Sequence, residues 1–189
     1  MAYDNFGSSA TPGPNAPLSD GCKDSQNPGS NAIAAVNAWR KAGMPAKKIL
    51  LGLPSYGYVS QSSATKLIHK RQIRRLSRRN TSDGDLSGFY GQQIEFNQLV
   101  QYGVIEQSKN GTWTAAKGYT RAFDKCSQTP YIYDVERQTV VTYDDPVSLE
   151  QKAKFARSAG LRGTGIWDLS SNGYSDKALS QAARDGLGI

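Results

Sequence analysis

Residues 48–58 read KILLGLPSYGY, and no other stretch restricts the fold as much. Ile49 to Leu53 is an apolar run with no polar face, too short for a buried helix and bounded by Gly and Pro. That pattern predicts a strand buried on both sides, as in a parallel α/β sheet. Ahead of it, Ala34, Ala35, Ala38 and Trp39 recur at helical spacing. They predict a helix from Ala32 to Ala42, capped by Asn31 and ended by Gly43, with Trp39 on its buried face. Behind it, Tyr56 and Tyr58 stand where the strand stops. In parallel sheets the carboxyl ends of strands are where ligands bind.

The rest of the chain alternates in the same way. Met1 to Phe6 predicts a short strand. Gly7 to Gly29 is a long Ser, Pro, Gly and Asn-rich connection, of the kind that serves as a functional loop or lid. Pro146 opens a helix through Ala159, with Gly160 behind it. Gly163 to Leu169, GTGIWDL, predicts another buried strand. A final helix capped by Ser175 or Asp176 runs through Arg184 and stops at Gly186 and Gly188.

Residues 60–139 differ. A helical pattern over Phe96, Leu99, Val100 and Ile105 is followed by short alternating runs, WTAAKGYTRAFD, TPYIYD and TVVTYD. These predict an antiparallel sheet with one helix, inserted between the outer segments 1–59 and 140–189. Trp113 falls in that sheet or on a groove wall. Only three strand–helix units are present, and an eight-unit barrel needs roughly 250 residues, so this chain is not a whole barrel.

The composition is that of a globular chain, and no apolar run approaches the roughly 20 residues of a membrane span. MAYDNFG has neither the basic nor the apolar region of a signal peptide; if the protein is secreted, the signal lies outside this chain. Net charge is +7, and from Lys66 to Arg79 seven of fourteen residues are Lys or Arg. A run like this is read as a solvated insertion, with a polyanion-binding patch as the alternative. His69, the one histidine, belongs to that run. With no CxxC spacing, no metal site is expected. Cys22 and Cys126 are either a free buried pair or one bridge; the bridge is the favoured reading.

Several ordered motifs resemble family 18 glycoside hydrolases, the chitinases, in their C-terminal part and in the fungal type most closely. Met1-Ala2-Tyr3-Asp4 resembles the M-x-Y-D at the end of the family's sixth barrel strand. AWRKAGMPAKKILLGLPSYGY is similar to the helix and seventh strand. FDKCSQTPYIYD and VVTYDDPVSLEQKAKFARSAGLRGTGIWDLSS are similar to the exit of the insertion, the next helix and the eighth strand with its tryptophan. The resemblance implies an α/β fold. The expected form is a partial (β/α)8 TIM barrel, strands six to eight, with an inserted α+β domain over 60–139.

The resemblance also implies a ligand, chitin or a chito-oligosaccharide, an extracellular setting and no cofactor. Family members cleave β-1,4-linked N-acetylglucosamine by substrate-assisted, retaining hydrolysis, outside the two-carboxylate scheme. By resemblance Tyr3 donates to the acetamido carbonyl, Asp4 holds a sugar hydroxyl, Trp167 is the floor under the sugar, Tyr56 and Tyr58 line the groove and Met1 packs beneath. The family often has Arg where this chain has Tyr58. Without the family, Tyr3 and Asp4 read as a fraying terminus and Trp167 as core. The family's acid lies in a D-x-x-D-x-D-x-E motif that these 189 residues do not contain. The nearest text, Asp83-Gly84-Asp85-Leu86-Ser87, is not a substitute. Glu95, Glu106, Glu136 and Glu150 are all expected away from strand ends. This chain alone is therefore expected to be inactive. It would bind sugar without turnover, or await a missing N-terminal half or self-associate through its open strand edges.

Overall fold

The computed structural model describes residues 1–22, 29–67, 83–168 and 174–189. The greater part of the basic run, His69 included, lies outside them. Three sheets and four α-helices stand among the described residues. Strand β1 (Leu50–Pro54) pairs in parallel with the strand Gly163–Trp167, in the register Leu50↔Gly163 through Pro54↔Trp167. Between them in sequence lies a five-stranded antiparallel sheet. Its members are β2 (Tyr56–Gln61), β3 (Gln93–Glu95), β6 (Thr120–Asp124), β7 (Thr129–Asp134) and β8 (Thr139–Thr142), in the order β3-β2-β8-β7-β6. A small hairpin, β4 (Ile105–Gln107) with β5 (Trp113–Ala115), completes this part. The parallel partner of β1 is thus β9.

The helices are α1 (Ala32–Lys41), α2 (Phe96–Gln101), α3 (Pro146–Ser158) and α4 (Tyr174–Leu187). Asn31 Oδ1 accepts the Ala34 N–H at 2.8 Å and starts α1; Asp145 caps α3, with Pro146 in its first turn, where a missing N–H costs nothing. One core joins all layers: Leu51 and Leu53 of β1, Phe96 and Leu99 of α2, Ile132 and Val141 of the sheet, Leu149 and Ala156 of α3, Leu179 and Ala183 of α4. Inside it, Lys152 is paired with Asp144, which also accepts from Ser148 Oγ at 2.6 Å. Burial pushes the Asp144 carboxyl up and the Lys152 ammonium down.

Several expectations need correction. Met1 to Phe6 is not a strand. Its backbone donors go to the following loop instead: Asp4 N–H to Asn15 Oδ1 and Asn5 N–H to Asn15 O. The parallel sheet therefore has two strands among the described residues, not three. β1 is buried on one side; Leu51 and Leu53 are inside, whereas Leu50 is 57% exposed. Trp39 is 58% exposed, because Ala32 and Val36 carry the buried face and the second half of α1 runs out past it. The pattern ending at Ile105 splits, with α2 stopping at Gln101 and Ile105 opening β4. Helix α4 continues through Gly186, which is a contact residue: a Cβ there would stand 2.5 Å from Glu150 O of α3.

The described part of the 7–29 connection, residues 7–22, is packed down and does not stand free as a lid. Pro12 to Leu18 is buried. Leu18 N–H donates to Ser127 O at 2.8 Å, Ser19 Oγ to Cys126 O at 2.8 Å, and Cys22 is disulfide-bonded to Cys126. The loop is stitched to the turn between β6 and β7. Among the described residues no helix is long and apolar enough to cross a membrane.

Candidate functional site

The polypeptide leaves β1 at Pro54, bends at Ser55 and enters β2 at Tyr56. Tyr56 and Tyr58 are two residues apart on one strand, so their side chains share a face; their rings meet edge-on at 6.1 Å. Tyr3 meets Tyr56 edge-on at 6.0 Å. Met1 and Tyr3 lie over Gly52, the one position in β1 with no side chain to hold them off.

Asp4 is the centre of this group. Its backbone has φ +61, a left-handed conformation that Asp tolerates better than bulkier residues. Both neighbouring phenols then donate to the same carboxylate oxygen: Tyr56 Oη to Asp4 Oδ1 at 2.6 Å, Tyr58 Oη at 3.0 Å. Gln93, opposite Tyr58 in the β2–β3 register, donates through Nε2 to the Tyr58 hydroxyl at 2.9 Å. The Tyr58 oxygen accepts from Gln93 and its proton goes to Asp4. Two neutral donors thus stand where the resemblance led one to expect a cation. Burial first, then the Asp4 charge, pushes the Tyr3 and Tyr56 phenols up; Tyr58 is raised mainly by burial.

Trp167 ends the partner strand at the same end of the parallel pair, beside Pro54 in register. Ser55 fixes it, with N–H donating to Trp167 O at 2.9 Å and Oγ to Asp168 O at 2.7 Å across a cis Trp167–Asp168 peptide. The indole is 57% exposed, so it is not a core residue. Met1, expected beneath the site, lies against Gly52 but stays 88% exposed. Trp113 is buried in β5 against Phe96, at 5.0 Å between rings. One glutamate is nearer than expected: Glu95 sits opposite Tyr56, and its carboxylate stands 3.4 Å from the Ser55 hydroxyl oxygen.

The result is an open carboxylate held by phenols, with an exposed indole at the same end of the parallel pair. Such a surface suits a ligand with both hydroxyls and an apolar ring face. Asn15, Gln93 and Ser55 are the members that sequence reasoning missed. None stands in a spacing that marks chemistry; they act through partners far away in sequence.

Residues 1–172 match the profile of Glycosyl hydrolases family 18. The chain belongs to that family. A chitinase-like effector of Moniliophthora roreri is 35% identical over 208 aligned residues, covering 100% of this chain and 49% of that protein. The solved chitinase RmChi1 of Rhizomucor miehei is 28% identical, with a TM-score of 0.71 over 98% of this chain and 52% of that one. Human YKL-39, described as a pseudo-chitinase with retained chitooligosaccharide binding, is 24% identical with a TM-score of 0.71; at that identity the likeness is one of fold. The chain spans about half the length of the curated family 18 relatives it matches. Family and neighbours together imply a (β/α)8 barrel fold, of which the described residues hold one parallel pair.

Proposed function

We propose that this chain supplies the carbohydrate-facing part of a family 18 chitinase-like site, and that its ligand is chitin or a chito-oligosaccharide. In this reading the segments 1–59 and 140–189 correspond to barrel strands six to eight with their helices, and 60–139 is the inserted α+β unit. The observation that carries it is the cluster of Tyr3, Asp4, Tyr56 and Tyr58 at the carboxyl end of β1, beside the exposed Trp167 of the paired strand.

Each residue has a chemical part. Trp167 offers an indole face to the axial hydrogens of a pyranose. The Tyr3 hydroxyl donates to the acetamido carbonyl, a preorganised dipole where positive charge develops. Asp4 accepts from a sugar hydroxyl, oriented by Tyr56 and Tyr58. Hydrolysis in a complete enzyme is substrate-assisted and retaining, and its proton comes from an acid motif that is not among these 189 residues. A second reading is a chito-oligosaccharide binder without turnover. Setting and partners follow from the same reading: the protein acts outside the cell, and exposed Leu50, Trp39 and Ile189 pack against a complementary half or a second copy.

Titration of tryptophan fluorescence with chitotetraose tests the site. Saturable quenching in the wild type, lost in Trp167→Ala, is expected; no saturable change in the wild type rejects it. Release of product from the same oligomer by the purified chain would reject inactivity of the chain alone. Steep weakening of binding with salt would point instead to the basic run and a polyanion.

A further inference from the structure

Asn15 lies at 2% exposure in the middle of the 7–29 connection, and both ends of its side-chain amide are engaged. Its Oδ1 accepts the Asp4 N–H at 3.1 Å, and its Nδ2 donates to the Tyr56 carbonyl at 3.2 Å. Its own backbone oxygen accepts the Asn5 N–H at 3.0 Å. These bonds fall on both sides of the one left-handed residue in the site, Asp4 at φ +61. That conformation costs an L residue about 1 kcal/mol or more and persists where the surroundings over-determine it. Asn15 supplies that determination. It also fixes the backbone of Tyr56, the residue whose hydroxyl meets the Asp4 carboxylate at 2.6 Å.

We infer that Asn15 is a positioning residue. Itself buried, it sets the Asp4 carboxylate against Tyr56 and Tyr58 by holding the backbones at both ends of that contact. The loop that carries it is anchored from the far side. Ile33 N–H donates to Leu18 O, Leu18 N–H to Ser127 O, and the Cys22–Cys126 bridge follows four residues later. A side chain seated in so fixed a loop can impose a conformation on the chain it grips. The inference rests on the saccharide reading of the site for its binding consequence, but its geometric part stands apart from it.

The experiment uses the purified 189-residue chain as wild type, Asn15→Ala and Asn15→Asp, with two readouts. One is chitotetraose titration by tryptophan fluorescence. The other is the hydroxyl proton of Tyr56 in the NMR spectrum in water, expected to exchange slowly where Asp4 holds it. Asn15→Ala is expected to bind the oligomer about tenfold more weakly, the upper end for losing one neutral hydrogen bond. It should also lose the Tyr56 hydroxyl signal while its amide spectrum stays dispersed. Asn15→Asp keeps the acceptor for Asp4 but not the donor to Tyr56, and is expected to fall between the two on both readouts. Wild-type affinity and an unchanged hydroxyl signal in Asn15→Ala overturn the inference. If Asn15→Ala does not fold, the same result in the isosteric Asn15→Asp overturns it. If the wild type does not bind chitotetraose, the saccharide reading fails and the hydroxyl signal alone decides whether Asn15 is the clamp.

Discussion

The Tyr56 hydroxyl donates to Asp4 Oδ1 at 2.6 Å, between residues 52 positions apart in sequence. A phenol on a carboxylate at that separation is a charge-assisted hydrogen bond, roughly twice as strong as a neutral one. Tyr56 is buried while the Asp4 carboxylate is open, so water can take over the freed bond on the Asp4 side alone. Tyr56→Phe is expected to lower stability by about 1.5–3 kcal/mol. Tyr58→Phe, at a longer contact of 3.0 Å in a more open position, should lower it by about 1 kcal/mol or less. Urea denaturation of the two variants checks the order; equal losses would mean that burial does not separate them.

The same bond makes stability depend on alkaline pH. Burial and then Asp4 hold the Tyr56 phenol above its ordinary value of 10. Above that value the unfolded chain releases the proton and the folded chain keeps it. The folded state then binds more protons, so stability falls as pH rises. This contribution is fully present below the unfolded value and is lost on the way up through the folded one. Urea midpoints measured from about pH 9 to about pH 11 should fall in the wild type. The fall should be shallower in Tyr56→Phe, and parallel curves would show that Tyr56 is not the group responsible.

What could be read from the sequence follows from how local each signal is. The apolar run of β1, the Asn31 cap of α1 and the Pro146 start of α3 depend on neighbours in sequence, and each stands in the structure. Tyr3, Asp4, Tyr56, Tyr58 and Trp167 were nominated by resemblance, and the fold gathers the first four and brings the fifth to the same strand end. The failures are non-local. Met1 to Phe6 has a strand-like sequence, but Asn15 takes its donors. Gly186 looks like a helix stop, but α3 presses on it. Trp39 has the spacing of a core residue, but nothing among the described residues covers it. A single sequence does not state which distant group claims a backbone N–H or covers a face.

The disulfide offers a third test. Cys22 and Cys126 are 104 positions apart, and closing a loop of that length removes about 4.7 kcal/mol of unfolded-chain entropy in the chain-entropy model. The bridge also lies next to the bonds that pin Leu18 and Ser19. Cys22→Ser with Cys126→Ser is expected to unfold at clearly lower urea concentration than the oxidised wild type. Reductant should bring the wild type to the same midpoint. A midpoint that does not respond to reductant would show that the bridge contributes little.

Gly52 and Gly165 face each other in register across the parallel pair, yet their surroundings differ. A Cβ on Gly52 would come within 3.0 Å of Tyr3 Cε1 and 3.3 Å of Met1 Cα, whereas a Cβ on Gly165 would meet nothing within 4 Å. Gly52→Ala must therefore push the first three residues outward, and overpacking of this kind costs about 1–3 kcal/mol. Because Tyr3 moves with that segment, the variant should also weaken chitotetraose binding. Gly165→Ala should change stability by no more than about 0.5 kcal/mol and leave binding as it is. Measuring both variants by urea denaturation and fluorescence titration separates a site that depends on how Tyr3 seats on β1 from one that does not. Equal behaviour of the two alanines would remove Tyr3 from the binding surface.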